Sequence, residues 1–237
     1  MECKLCRQEK KLIKAHIIPS FMYHELFDQN HRIRQATFEN KVYKRNTQRE
    51  TGEFDKNILC EKCDNEILGK YEDYAKRVLY DGATPNLLPR FERMYNKTWM
   101  SVGDIDYKKF KIFLLSIIWR ASITSRPYFS QINLGHHEEI IRKMILNNDP
   151  KKKEDYPILI TYTGLYTTQV IARPKLVRMG KKVYSFLIAG VIYNFFIECD
   201  DIPDYLYETT INEKNEMKIL LTDKSYAAEL TNANLFE

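Results

Sequence analysis

The chain has 237 residues, which suits one large domain or two small ones. Hydrophobic residues make up 44% and charged residues 29%, a balance that excludes an intrinsically disordered chain. No apolar run reaches the roughly 18 residues that a membrane span needs, and the chain begins Met1-Glu2-Cys3 without an apolar leader. A cytoplasmic protein without a membrane partner is therefore expected.

Residues 1–82 are organised around two C-x-x-C pairs, Cys3 with Cys6 and Cys60 with Cys63. Each pair presents two thiolates from a tight turn, and two such turns complete the four-sulfur shell that zinc prefers. Four of the five cysteines fall in this pattern, which favours a metal in a reducing compartment over disulfides. A closed shell of four sulfurs has no open position. The pattern therefore predicts a structural Zn²⁺ that staples a small module.

A single histidine, His16, lies in an A-H-I-I-P segment between the two pairs. Residues 12–18 predict a short strand, and a helical stretch is expected over 21–27. The neutral imidazole of His16 can take a proton from water, which makes this residue a candidate general base. The alternative is a histidine that hydrogen-bonds the loop and helps to pack the module.

Residues 28–56 are polar and predict irregular chain. Positive charge is concentrated here, because residues 1–49 hold 11 Lys and Arg against 5 Asp and Glu, in a chain whose net charge is +5. A basic segment beside a zinc module favours contact with a phosphate backbone, and a solvated loop is the alternative. The predicted nucleic-acid contacts are Arg32, Arg34, Lys41, Lys44, Arg45 and Arg49.

The two C-x-x-C turns are called the first knuckle (Cys3 and Cys6) and the second knuckle (Cys60 and Cys63). The second knuckle leads into a helix predicted over residues 65–79. Asp64 follows Cys63 directly, so its carboxylate can hold a hard divalent ion such as Mg²⁺ or can cap the helix. Asp55 and Asn57, before Cys60, can supply a ligand or orient His16. Glu72, on the helix, can reach the same site.

Residues 83–237 predict an α+β unit with helices over about 108–146 and a mostly antiparallel sheet over about 156–221. The first helix, over 108–122, is strongly apolar. The second is opened by Gly135, His136 and His137. Neighbouring helical residues point about 100° apart, so the two histidines are not expected to converge on one ion.

The order of these motifs resembles the HNH endonuclease superfamily. The matching features are C-x-x-C, A-H-I-I-P, L-C-x-x-C-D and a helix carrying Gly69 and Glu72, over roughly residues 1–80, with a weaker match over 113–120. The likeness is nearest to the four-cysteine zinc branch, which includes phage endonuclease VII-like proteins and bacterial proteins with an S-H-I-I-P core. It implies a ββα-metal unit in which His16 matches the general base. Asp64 matches the residue that binds a catalytic Mg²⁺ or Mn²⁺.

The expected function is thus that of a metal-dependent endonuclease with a catalytic site formed by His16, Asp64, Asn57 and Glu72. The expected substrate is nucleic acid, with DNA preferred over RNA as the expectation, and the expected role is in bacterial or phage defence. The resemblance has one notable departure: Ala15 stands where many members place a metal-binding Asp or His. One alternative is a non-catalytic zinc module that binds nucleic acid or protein. Another is control of the N-terminal module by a small molecule bound in the C-terminal unit. That unit is also where a homodimer or a protein partner would attach.

Overall fold

Short helices and strands lie near the N-terminus, two longer helices lie in the middle of the chain, and strands dominate towards the C-terminus. The protein is described by a computed structural model that covers residues 1–27, 33–39, 42–49, 52–81, 90–94, 96–163, 171–178, 182–198 and 208–222. For residues 33–39, 42–49 and 81 the description is limited to the backbone.

The N-terminal region is built from short elements around the cysteines. Strand β1 (Ala15–His16) pairs antiparallel with β4 (Phe54–Asp55), and a 3-10 helix spans Ser20–Leu26. A continuous helix follows the second knuckle: its centre is α1 (Gly69–Lys76), with wider π-helical turns at Lys62–Leu68 and Arg77–Asp81. The helix predicted over 65–79 is confirmed, whereas the strand predicted over 12–18 is only two residues long.

An antiparallel hairpin lies between the two knuckles, formed by β2 (Ile33–Glu39) and β3 (Val42–Arg49). The prediction of irregular chain over 28–56 was wrong here. The many polar residues hid a set of β-branched and aromatic residues, Ile33, Phe38 and Val42 among them, that favour strands. Moreover, β2 pairs parallel with β8 (Ile171–Ala172) from the C-terminal half, and a local sequence pattern does not reveal such a distant partner.

Two helices lie in the middle of the chain. Helix α2 (Tyr107–Ile123) is capped by Asp106, whose side chain accepts the Lys109 N–H at 3.0 Å. Helix α3 (His137–Asn147) ends at Asn148 in the left-handed conformation. Helix α2 is buried over most of its circumference because it packs against both α1 and α3. Both predicted helices are therefore confirmed.

The C-terminal half forms most of a large sheet. Its further strands are β5 (Arg90–Met94), β6 (Lys97–Val102), β7 (Ile158–Tyr162), β9 (Lys175–Arg178), β10 (Lys182–Ile188), β11 (Val191–Phe196) and β12 (Met217–Leu221). Within the described ranges the strand order is β3-β2-β8-β10-β11-β7-β12-β6-β5, with β9 also paired to β10. Among the described strands, β12 with β7 and β2 with β8 run parallel, and the other pairs are antiparallel.

The two faces of this sheet bury different residues, because successive side chains of a strand point to opposite faces. Ile158 and Ile160 of β7 join a core that continues through α2 to the cysteines at the N-terminus. Leu159, between them, packs with Trp99 and Phe196 in a smaller cluster on the opposite side. The main core thus includes residues from both predicted units. The boundary at residues 82 and 83 stays a prediction.

The helices and mostly antiparallel strands confirm the α+β class for the described residues. The finer prediction, an HNH-like ββα-metal unit, stays a hypothesis. Over the same residues, no helix has both the length and the apolar character needed to cross a membrane.

Candidate metal centre and histidine site

The two C-x-x-C turns bring four sulfurs to one point. The Sγ atoms of Cys3, Cys6, Cys60 and Cys63 all lie within 4.8 Å of one another. Four ligands at about 2.3 Å from a zinc ion in a tetrahedron would lie about 3.8 Å apart, so the spacing and the soft sulfur donors fit Zn²⁺. In the described part of the chain, no other group of three or more His, Cys, Asp or Glu side chains converges in this way.

Backbone hydrogen bonds hold the two turns in place. The Arg7 N–H donates to the Cys3 carbonyl at 2.8 Å, and the Asp64 N–H donates to the Cys60 carbonyl at 3.0 Å. The Cys60 N–H also reaches the Sγ atom of Cys3 at 3.4 Å. An N–H donor stabilises a thiolate, so the fold prepares one sulfur of the first pair for a cation.

The thiols of the cluster differ in pKa. Burial raises the pKa of Cys63 well above its usual range and also raises the pKa of Cys6. Burial acts in the same direction on Cys3, but backbone N–H hydrogen bonds outweigh it and lower the pKa of Cys3 to about 7. Four thiolates this close need a cation to ionise together, so metal binding must release protons.

His16 lies at the end of β1, opposite Phe54 of β4. The two ring centroids are 6.4 Å apart in an edge-on arrangement, and Lys14 Nζ lies 4.1 Å from the Phe54 centroid. Burial is the main cause that lowers the pKa of His16; Lys14 and Arg120 lower it as well, whereas Glu72 opposes them. The lowered pKa favours the neutral ring, which is the form that accepts a proton.

A buried arginine of α2 connects the His16 strand with the knuckle helix. Nη1 of Arg120 donates to the main-chain oxygen of His16 at 2.8 Å and to Oε1 of Glu72 at 2.8 Å. Nε and Nη2 donate to the carbonyl and hydroxyl oxygens of Ser116, both at 3.2 Å. The Arg120 side chain is 1% exposed and that of Glu72 25%. The structure thus joins two predicted site residues to one guanidinium.

Asp64 lies within the first turn of the knuckle helix, half-buried. Burial raises the pKa of Asp64 to about 6; Arg120 works to lower it and Glu72 to raise it. Because the same two side chains act on His16, the four groups share one electrostatic environment. The capping role weighed for Asp64 is not seen, since Glu61 precedes the helix and makes no side-chain cap bond.

Asp55 and Asn57 lie in and after β4. The Asp55 carboxylate is buried: Oδ2 accepts the Thr124 hydroxyl at 2.6 Å and the Ser125 N–H at 3.4 Å, and Oδ1 accepts the Asn57 N–H at 2.9 Å. Oδ2 thus anchors β4 to the end of α2, whereas Oδ1 holds the turn that follows β4. Asn57 itself is exposed, and in the described contacts it takes part through its backbone. Its catalytic role stays a prediction.

Ala15 is fully buried opposite Asp55, and its side chain points away from that of His16 because the two are neighbours in a strand. The departure from the superfamily pattern therefore coincides with a position that faces the core. The carboxylate that acts on His16, Glu72, comes from the helix instead.

The predicted nucleic-acid contacts cannot be placed as side chains. Arg34, Lys44, Arg45 and Arg49 lie in β2 and β3, where the description is limited to the backbone. Arg32 and Lys41 lie outside the described residues. Their role stays a prediction.

Sequence reasoning missed Arg120 and Phe54 as parts of the site. A signal existed for Arg120, because it interrupts a strongly apolar helix, and a charged residue at such a position is seldom buried without a partner. Phe54 carried no signal, since its role depends on the register of β1 with β4.

His136 and His137 lie closer together than helical spacing suggests, whereas the prediction that they do not converge on one ion stays a prediction. Their ring centroids are 3.9 Å apart, and Nδ1 of His137 lies 2.9 Å from the Tyr156 hydroxyl oxygen. Helix α3 begins only at His137, so helical spacing does not separate the two residues.

Comparisons of the chain with protein-family models, with curated proteins and with solved structures gave no match. The resemblance to the HNH superfamily therefore depends on the motif residues alone.

Proposed function

We propose that this protein is an HNH-type endonuclease that hydrolyses phosphodiester bonds in nucleic acid, with a structural Zn²⁺ on its four cysteines. One observation carries the proposal: His16, Glu72 and Asp64 share the environment of a single buried guanidinium beside the cysteine cluster. A neutral histidine next to two carboxylates is the set of groups that metal-assisted hydrolysis needs.

In the proposed reaction His16 acts as general base. Its neutral ring takes a proton from water while the water oxygen attacks phosphorus, and the bond from phosphorus to the leaving oxygen breaks. The leaving oxygen takes a proton from solvent, and His16 releases its own proton to solvent afterwards. The lowered pKa of His16 supports this role, since the ring is ready to accept a proton at pH 7.

Asp64 is the residue that would hold a divalent cation. Mg²⁺ commonly binds through one or two carboxylates together with substrate phosphates, so one protein carboxylate is a sufficient start. When bound, Mg²⁺ or Mn²⁺ supplies charge neutralisation at the scissile phosphate and at the leaving oxygen. Burial raises the pKa of Asp64 although Arg120 acts to lower it, so a further cation would stabilise its anion.

The test is cleavage of labelled DNA duplex, single-stranded DNA and RNA by zinc-loaded protein in Mg²⁺ or Mn²⁺. We expect His16→Ala to lower the rate by about 10²–10⁴ with zinc retained, because a lost general base costs that much and the histidine lies outside the sulfur cluster. The matched control is His24→Ala, since His24 belongs to the same region and its side chain is 83% exposed. Equal rates for parent and His16→Ala protein would overturn the assignment of His16.

The second candidate is a zinc module that binds nucleic acid or protein without cleaving it. Two observations favour it. Both carboxylate oxygens of Asp55 already accept hydrogen bonds, and the buried Ala15 has no side-chain oxygen, so fewer oxygen ligands for a metal remain near His16. Binding of nucleic acid without cleavage under every tested metal would establish this reading instead.

A further inference from the structure

We infer that Arg120 is a positioning residue of the proposed nuclease site: its guanidinium fixes the His16 main chain and the Glu72 carboxylate relative to each other. The inference depends on the proposed function. It extends the catalytic unit beyond the first 82 residues, because Arg120 comes from α2.

The geometry of the guanidinium carries the argument. One nitrogen, Nη1, donates to both His16 and Glu72, so the two acceptors converge on a single atom. The other two nitrogens are held by Ser116, whose hydroxyl in turn donates to the Phe113 carbonyl at 2.6 Å. The planar group is thus fixed at one end by its own helix and presents its other end to the site. A lysine has one nitrogen and cannot form this fork.

The contacts also explain why the role is not only structural. The strand that carries His16 is two residues long, so its own hydrogen bonds cannot define the position of the ring closely. The bond from Arg120 to the His16 carbonyl supplies that constraint. A misplacement of about 1 Å costs up to about 10² in rate, which makes a device of this kind measurable.

The structure offers a matched control in Arg142 of α3. That guanidinium donates to the carbonyl of Leu5 in the first knuckle and to the carboxylate of Glu139 at 2.7 and 2.8 Å. Arg142 therefore makes the same kinds of bond as Arg120, from a neighbouring helix, to a segment without His16. A purely structural role predicts losses of stability, unequal in size because the two sites differ in burial, with the kcat of the folded protein unchanged in both variants.

The experiment compares Arg120→Lys with Arg142→Lys in zinc-loaded, full-length protein, using a short labelled DNA duplex and Mn²⁺. We expect Arg120→Lys to lower kcat by about 10–100-fold with KM unchanged, and Arg142→Lys to change kcat by less than about twofold. If Arg120→Lys does not fold, Ser116→Ala replaces it, since it removes the hydroxyl acceptor of Nη2 and keeps both the charge and the bond from Nε to the main chain. For Ser116→Ala we expect a smaller loss, about 2–10-fold in kcat.

A second readout separates this inference from the proposed function. In nucleic-acid-free protein, NMR signals of the His16 ring should shift in Arg120→Lys and overlay on the parent in Arg142→Lys. If the parent does not cleave, the nuclease proposal fails, and the NMR comparison alone decides whether Arg120 positions His16. Unchanged His16 signals in the Arg120 variant, an unchanged kcat, or equal losses in both variants would overturn the inference.

Discussion

Two arginines of the helical layer hold two neighbouring regions of the N-terminal module, and they do so differently. Arg142 binds the first knuckle with a carboxylate, Glu139, from its own helix, and that side chain is 43% exposed. Arg120 binds the strand that carries His16 and also pairs with Glu72, a carboxylate of another helix, and both side chains are more buried than those of the Arg142–Glu139 pair. The first knuckle is therefore held mainly by its sulfurs and by the Arg142–Glu139 pair, whose carboxylate is partly exposed. The strand that carries His16 depends instead on the buried guanidinium of Arg120.

The difference separates the cysteine cluster, which stabilises the fold, from the surroundings of His16, where the proposed chemistry takes place. Around the cysteines, local turns and backbone hydrogen bonds set the geometry, and the predicted metal completes it. Around His16, one cation balances Glu72 and acts on both Asp64 and the histidine. Changes at the first region should affect folding, while changes at the second should affect the chemistry of the site.

The largest effect is expected for Cys60→Ser. Loss of one of four thiolates should release the zinc and unfold much of the N-terminal module, because ligand binding and folding are coupled at such sites. Metal analysis and protection from proteolysis measure both consequences. The control is Cys199→Ser, which removes the cysteine outside the two C-x-x-C pairs and should leave the zinc content unchanged. Zinc-free parent protein, freshly purified without chelators, would contradict the prediction.

Glu72→Gln and Glu139→Gln compare the two ion pairs directly. Glu72→Gln should lower the free energy of unfolding by roughly 2–4 kcal/mol, because it leaves the buried Arg120 charge without its counterion. Glu139→Gln should cost about 1 kcal/mol or less at pH 7, since the Glu139 side chain is 43% exposed and water screens its pair with the more buried Arg142. Urea denaturation of the zinc-loaded proteins measures both values. Equal losses of unfolding free energy in the two variants would contradict the prediction that the more buried Arg120–Glu72 pair matters more than the Arg142–Glu139 pair.

The sequence predicted the region with local rules better than the region without them. The C-x-x-C spacing places two sulfurs together in each turn, and the preference of zinc for four sulfurs predicts that the two turns meet, which is confirmed for all four cysteines. Helices α2 and α3 were likewise visible in apolar periodicity and in turn residues. In contrast, the pairing of β2 with β8 and the contact of Arg120 with His16 join distant parts of the chain. No local pattern specifies such contacts, because they depend on how whole elements pack.

Replacing Gly52 or Gly69 by alanine should change the stability of the protein in opposite directions. A Cβ atom at Gly52 would lie 2.2 Å from the ring of Tyr23, whose hydroxyl is held by the Glu53 N–H at 3.1 Å. Gly52→Ala should therefore cost about 1–3 kcal/mol of stability through overpacking beside β4. At Gly69 the nearest atom, the Asp64 carbonyl oxygen, would be 3.7 Å away, an ordinary contact.

Gly69→Ala should accordingly stabilise the protein by about 0.5–1 kcal/mol, because alanine favours a helix interior over glycine. Thermal denaturation of the two variants side by side checks the signs. A loss of stability at Gly69 would mean that the knuckle helix is less tolerant than its open surroundings indicate.

The smallest effect on stability, and the last test of the comparison, concerns the basic hairpin between the two regions. If the side chains of Lys44, Arg45 and Arg49 of β3 are solvated, replacing them by Gln should leave the melting temperature nearly unchanged, since surface substitutions seldom alter stability by more than about 0.5 kcal/mol. If these residues contact phosphates, each lost contact lowers the slope of log affinity against log salt by about 0.9 for duplex DNA. The control removes the same charge elsewhere, as Lys151→Gln, Lys152→Gln and Lys153→Gln in the segment between α3 and β7. A general attraction of a positive protein to DNA would flatten the salt dependence equally in both triple variants, whereas a phosphate-binding hairpin requires the effect in the β3 variant alone.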